Sequence, residues 1–288
     1  MVYLLAIGSA ALYGAADFTG GFASRRASTI PVVLLSQASG LLLLGLILPF
    51  LPHARPSRPD LLWGIGAGFT GGAGVALLYR ALAIGAMTVV APTTAVCAVA
   101  IPAGVAIVLG ERPAPLATLG IGLGILSIVL VSRQTEMAEI GDGAAAARRR
   151  LGPGIGTALA AGVAIGLFFL CLAKTGPAAG MWPLLVSRLV SVALWVSIAT
   201  AGRRSLRMPS RVIGLTAVCG ALDMAANALY LLATKLGPLS IVVTLSSLYP
   251  ASTVLLARIV LGERLNLWQV TGVASALAAI GLIVGGGR

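Results

Sequence analysis

The sequence predicts an all-α integral membrane protein whose ten transmembrane helices form two inverted five-helix repeats. Hydrophobic residues make up 58% of the 288-residue chain and charged ones 10%, far from the quarter charged that a soluble domain carries. Apolar stretches of about 20 residues recur along its length, enough at about 1.5 Å per residue to cross a hydrocarbon core of about 30 Å. The hexapeptide Ile107-Val108-Leu109-Gly110-Glu111-Arg112 returns as Ile259-Val260-Leu261-Gly262-Glu263-Arg264, 152 positions later. The same offset pairs Ala81 with Ala233, Gly85 with Gly237, Val90 with Val242, Gly120 with Gly272 and Ile128 with Ile280. One module is therefore written twice, as in membrane carriers.

The expected spans follow in order. Span 1 (2–22) starts without a basic n-region and is followed by nine more, so it reads as a retained helix rather than a cleaved signal. Span 2 (31–51) holds one lone amide, Gln37, read as packing glue. Span 3 (61–84) carries Gly64, Gly68 and Gly72 at four-residue spacing, which lets helices approach closely. Its Gly66-Ala67-Gly68-Phe69-Thr70-Gly71 formally matches a dinucleotide fingerprint, but no strand precedes it and no acid follows about twenty residues on. Span 4 (87–109) contains Pro92 and Pro102, with Thr93 and Thr94 placed to satisfy freed carbonyls. Span 5 (114–132) closes the first copy. In the second copy, spans 6 (153–173), 7 (179–201), 8 (211–234), 9 (238–261) and 10 (266–285) repeat the plan, with Pro250 interrupting span 9 near Ser246 and Ser247. None of these stretches shows the two-residue alternation of a membrane barrel.

The domain organisation expected is a first repeat at 1–132, a polar connection at 133–152 and a second repeat at 153–288. The connection holds Glu136, Glu139, Asp142 and then Arg148-Arg149-Arg150, alternating charge that keeps it in water. Five spans separate the two Gly-Glu-Arg corners, so Glu111 and Glu263 should lie on opposite faces and the copies should be related by a two-fold in the membrane plane. The net charge of +12 arises mostly from Lys and Arg in the connections or at span ends, which is membrane-flanking charge and argues against nucleic acid as a partner. Arg25, Arg26, Arg133, Arg148, Arg149, Arg150, Arg203, Arg204, Arg207, Arg211 and Arg264 fall on one side. Arg55, Arg58, Arg112, Lys174, Lys235 and Arg288 fall on the other, a bias that would place both termini outside. Cys97, Cys171 and Cys219 are odd in number and lie within spans, giving neither a disulfide framework nor a metal site.

Two five-span copies, each with a Leu-Gly-Glu-Arg corner (Leu109 to Arg112, Leu261 to Arg264) and a glycine early in the closing span (Gly120, Gly272), resemble the EamA-type repeats of the drug/metabolite transporter superfamily. Tyr79-Arg80-Ala81-Leu82 is similar to the aromatic-alanine segment that ends the family's third helix. The resemblance implies a ten-helix carrier of amino acids, sugars, drugs or other metabolites, with both termini cytoplasmic, opposite to the charge bias.

Charge inside a bilayer costs about 2.5–3.5 kcal/mol or more per residue, so each intramembrane charge needs a partner, a cavity or a task. Three lie well inside: Asp17, Arg188 and Asp223. Arg188 and Asp223 fall at similar depth on consecutive spans, as a substrate-binding pair or a structural one. Asp223, Asn227 and Tyr230 follow at i, i+4 and i+7, one face of span 8, expected to line the transport path or a helix seam. In the first copy the 152 offset places Gly71 and Val75 at the positions of Asp223 and Asn227, so the repeat itself does not demand this polar face. Asp17, one turn after Tyr13, is expected to act as a proton-coupling acid or to meet Arg25 or Arg26. Glu111 and Glu263 are expected to be structural corners, each complementing the N-terminus of its own closing helix.

No Walker lysine motif occurs, and His53 is the single histidine, in a loop, so ATP hydrolysis and a histidine metal site are not expected. The function expected is secondary-active transport of a small metabolite or drug by alternating access, with efflux favoured by the resemblance, no cofactor and no enzymatic activity. The expected partners are a small-molecule substrate and the bilayer of the cell membrane, with a homodimer left open. The alternatives are a non-transporting sensor or scaffold and, less favoured, a membrane enzyme acting on lipid-linked substrates.

Overall fold

The computed structural model describes residues 1–51, 54–108, 115–116, 118–124, 126–127, 154–236, 242, 245–263 and 267–285. Glu111, His53 and the 133–152 connection lie outside these residues, so the expectations placed on them are not addressed. Among the described residues the chain is helical. Its helices are α1 (Val2–Ser24), α2 (Thr29–Ile47), α3 (Arg58–Ile84), α4 (Met87–Val108), α5 (118–124), α6 (Ile155–Ala173), α7 (Trp182–Ala201), α8 (Ser210–Leu236), α9 (Tyr249–Leu261) and α10 (Leu267–Gly285). Among the described residues six spans, Val2–Ser24, Thr29–Phe50, Arg58–Ile84, Ile155–Ala173, Trp182–Ala201 and Ser210–Ala233, are long and apolar enough to cross a membrane. Shorter apolar helices lie at Met87–Pro102, Tyr249–Leu261 and Val270–Leu282.

Local chemistry sets where these helices begin. At α3 a capping box places the Ser57 hydroxyl against the Asp60 amide while the Asp60 carboxylate accepts from the Ser57 amide, so the helix starts three residues earlier than the hydropathy of span 3 suggests. Residues 177–179 form a short 3-10 turn and α7 begins only at Trp182, later than span 7. Pro250 occupies the first turn of α9, where its missing N–H costs no helical bond; it starts this helix and does not kink its interior. Pro92 and Pro102, by contrast, are carried within α4. Near Pro92 the Thr93 hydroxyl donates to the Val89 carbonyl at 2.8 Å and that of Thr94 to Ala158 on α6 at 3.2 Å.

Large apolar side chains point outward and small ones inward. Leu4, Leu42, Leu46 and Ile259 are among the exposed residues, whereas the buried set is dominated by Ala and Val with buried Ser and Thr among them. In lipid there is no hydrophobic force between helices, so close contact between small residues holds them together. The contacts are exchanged between the halves: α1 packs on α8 and α6 on α3, α1 on α9 and α6 on α4, α2 on α8 and α7 on α3. Across the middle, α2 meets α7 and α4 meets α9.

Two glycines fix the register of this exchange. A methyl group on Gly68 of α3 would meet Val190 Cβ at 2.5 Å and the Ser187 carbonyl at 2.8 Å. One on Gly220 of α8 would meet Ser39 Cβ at 2.9 Å and overlap the Ser36 carbonyl. Gly220→Ala is expected to lower stability by about 1–3 kcal/mol, the usual cost of overpacking. Gly214→Ala in the same helix meets nothing within 4 Å and is expected to stay within about 1 kcal/mol of the parent or to gain slightly from helix propensity. Chemical unfolding in mixed micelles checks the contrast.

Candidate functional site at the bundle centre

Asp223 lies thirteen residues from either end of α8 (Ser210–Leu236) and Gln37 lies near the middle of α2 (Thr29–Ile47). Arg188, in the first half of α7, is 8% exposed and reaches both. Its Nη2 pairs with Asp223 Oδ2 and its Nη1 donates to Gln37 Oε1 at 2.6 Å. Because a guanidinium only donates, the Gln37 oxygen must face it. The pair is unequal in accessibility: the Asp223 side chain is 25% exposed and that of Arg188 10%. Gln37 is buried at 4%.

Three tyrosines border this centre. Tyr13 of α1 and Tyr249 of α9 face each other with ring centroids 6.2 Å apart, and Tyr13 lies within electrostatic reach of Asp223, Arg188 and Tyr230. Tyr230 also packs against an apolar group including Ala6, Ala233 and Val242. Asn227 turns its amide back on its own helix, donating to the Asp223 carbonyl at 2.8 Å. Beyond the centre, Cys219 donates to the Ala16 carbonyl at 3.2 Å and so accepts from the Tyr79 hydroxyl at 3.0 Å.

Asp17 is half-buried, seven residues before the end of α1, and within electrostatic reach of Asp223. It forms no ion pair among the described residues. The alternative in which it meets Arg25 or Arg26 does not hold: Arg25 is committed elsewhere, and the Arg26 guanidinium stacks 3.8 Å over the Phe22 ring. Thr253 and Ser9 dock α1 onto its neighbours, donating to Gly14 at 3.1 Å and Ala226 at 2.9 Å respectively.

Arg25 closes one face of the bundle. Its side chain pairs with Glu263 at 3.1 Å and donates to the Leu82 and Gly85 carbonyls at 3.2 and 2.9 Å. Glu263 follows Gly262, whose φ of +65° is a left-handed conformation that glycine adopts without strain. The carboxylate accepts from the amides of Met87 and Thr88 at 3.2 and 3.0 Å and from the Thr88 hydroxyl at 3.0 Å. Sequence places this acid at the start of its own closing helix, where residues 264–266 lie outside the described residues; among those described it caps α4 of the other half. The reason is geometric: the turn at Gly262 aims the side chain across the bundle, where the free N–H groups of α4 are waiting. Glu263→Gln is expected to cost about 1–2 kcal/mol through lost charge-assisted caps, read by chemical unfolding.

An all-helical bundle with outward-facing leucines and a charged cluster at its centre defines a multi-pass membrane protein. The EamA-like transporter family model matches residues 1–133 and again 152–285. The chain belongs to the EamA-like transporter family, whose members are membrane transporters of the drug/metabolite transporter superfamily. No curated protein matches it.

Proposed function

We propose that the protein is a secondary-active carrier of the cell membrane that moves a small metabolite or drug, in the efflux direction, by alternating access between two inverted five-helix repeats spanning 1–132 and 153–288. The observation that carries this reading is the Arg188, Asp223 and Asp17 group, one base and two acids inside an apolar bundle, with the Asp223 side chain still 25% exposed. Burying these charges is expensive, and a chain that needed only packing would do better with apolar side chains. The exchanged contacts between halves support the two-fold, since α1 on α8 returns as α6 on α3. Five spans per copy support its inversion. Rocking one half against the other about that axis would open the centre to each side in turn.

In this reading Arg188, Asp223, Asn227 and Tyr230 form the substrate site, Asp17 is the acid that couples transport to protons, and Glu263 with Glu111 are structural corners. Counterflow in proteoliposomes tests it. Vesicles preloaded with pooled amino acids, sugars or cationic drugs are expected to accumulate label from at least one pool. Failure of every pool with folded protein would instead favour a sensor or scaffold.

A further inference from the structure

The contacts of Gly68 and Gly220 give α2 and α7 a register that differs by one from the 152 offset of the closing helices. Ser187 and Val190 occupy in one half the places that Ser36 and Ser39 occupy in the other, an offset of 151. In that register Gln37 is the counterpart of Arg188. The two residues therefore hold the same place in the two halves and touch each other at 2.6 Å, which is how a contact lying on a two-fold axis looks. The axis passes between a base and a neutral amide, not between two like charges.

This asymmetry decides which charge a cargo meets. Arg188 is drawn back between Gln37 and Asp223, and its side chain is the less accessible member of the pair, 10% against 25%. Asp223 keeps an open side, and Asp17 is half-buried and without an ion-pair partner among the described residues. The Tyr13 and Tyr249 rings stand beside them. One guanidinium tied to Gln37 and Asp223 leaves two carboxylates to set the sign of the site, and adjacent tyrosine faces add attraction for positive charge. A carboxylate or phosphate cargo would have to pull Arg188 out of two contacts at once and would then sit against two acids.

We propose that the central site takes monovalent organic cations, and that Gln37 is a positioning residue that sets this preference by holding the Arg188 guanidinium away from the cargo. The assignment rests on the carrier reading above. Gln37 does not touch the cargo; it acts through Arg188.

The test uses the whole protein in lipid nanodiscs with three probes of similar size: benzyltrimethylammonium, 3-phenylpropionate and phenylalanine. Calorimetric binding should favour the ammonium probe by about tenfold or more, the scale of one lost charge contact. Asp17→Asn should erase most of that advantage. Gln37→Leu should free the Arg188 guanidinium from one of its two contacts to meet the cargo, so that the cation-to-anion ratio falls about tenfold, whereas Gln37→Glu, which still anchors the guanidinium, should keep the preference. If Gln37→Leu does not fold, the wild-type and Gln37→Glu arms still decide the cation assignment. Equal or tighter binding of the carboxylate or the zwitterion would overturn the cation assignment while leaving a carrier in place. An unchanged ratio in folded Gln37→Leu would overturn the role of Gln37. Saturation by none of the probes would overturn the proposal, and only the separate loss of counterflow in every pool would overturn the carrier reading.

Discussion

Asp223→Ala is expected to destabilise the protein by about 3–5 kcal/mol, because it strands a buried guanidinium with only an amide for a partner, and to abolish counterflow. The double replacement Arg188→Met with Asp223→Leu removes both charges and fills the same space with apolar groups. It should recover most of the stability, since well-packed hydrophobic substitutes for a buried pair are often neutral or better. It should not recover transport. Unfolding and counterflow measured on the same preparations separate the two roles of the pair: a double variant that still transports would make Arg188 and Asp223 a packing device only. Gln37 sharpens the comparison, because its oxygen remains 2.6 Å from the place the guanidinium vacates and becomes a buried acceptor without a donor. The recovery is therefore expected to be incomplete by about 1–2 kcal/mol unless Gln37→Leu is added.

The second large effect belongs to Asp17. Its side chain is half-buried, sits near a second carboxylate and has no basic partner among the described residues. Such an acid has two ways to avoid an uncompensated charge: bind a proton or bind a cation. Asp17→Asn fixes the neutral form. Flux through this variant at saturating substrate is expected to be indifferent to an imposed pH gradient, while in the wild type the gradient drives accumulation about tenfold beyond equilibrium, equivalent to roughly 1.4 kcal/mol. Reconstituted vesicles with a pH jump provide the measurement. A variant that still concentrates substrate as the wild type does would remove Asp17 from coupling. Asp17 is a useful choice because it makes none of the described hydrogen bonds that dock α1, which involve Ser9 and the Ala6, Gly14 and Ala16 carbonyls.

Much of this architecture could be read from the chain alone, and the reasons differ by residue. The membrane character rests on composition. The contact between Arg188 and Asp223 follows from counting depth along two consecutive helices that run in opposite directions. Gln37 escaped because its partner lies 151 residues away and the repeat offset that organises the corner motifs is 152, so alignment on the Gly-Glu-Arg corners pairs Arg188 with Ser36. Only the close approaches at Gly68 and Gly220 reveal the one-residue difference. Glu263 illustrates another limit. Its place at a corner is legible, but the cap it provides to α4 of the opposite half is not, because no local pattern records which free N–H groups a turn will face. Asn227 shares a face with Asp223 by spacing, read as the wall of the transport path or a helix seam; its amide nitrogen is engaged by the Asp223 carbonyl one turn back, an option that short polar side chains have within a helix.

Alternating access requires each face of the bundle to open in turn, and the Arg25 and Glu263 contact allows one face to be tied shut. This pair joins the end of α1, the α3–α4 corner and the α9–α10 corner on one face, while Pro177 stands at the counterpart of Arg25 under the 152 offset. Arg25→Cys and Glu263→Cys, in a background with Cys97→Ser and Cys171→Ser, can be joined by a short bifunctional thiol reagent carrying a reducible link. Counterflow should stop when the link forms and return when it is reduced, because the face that must open has been tied. Undiminished flux through fully linked protein would contradict alternating access through this face.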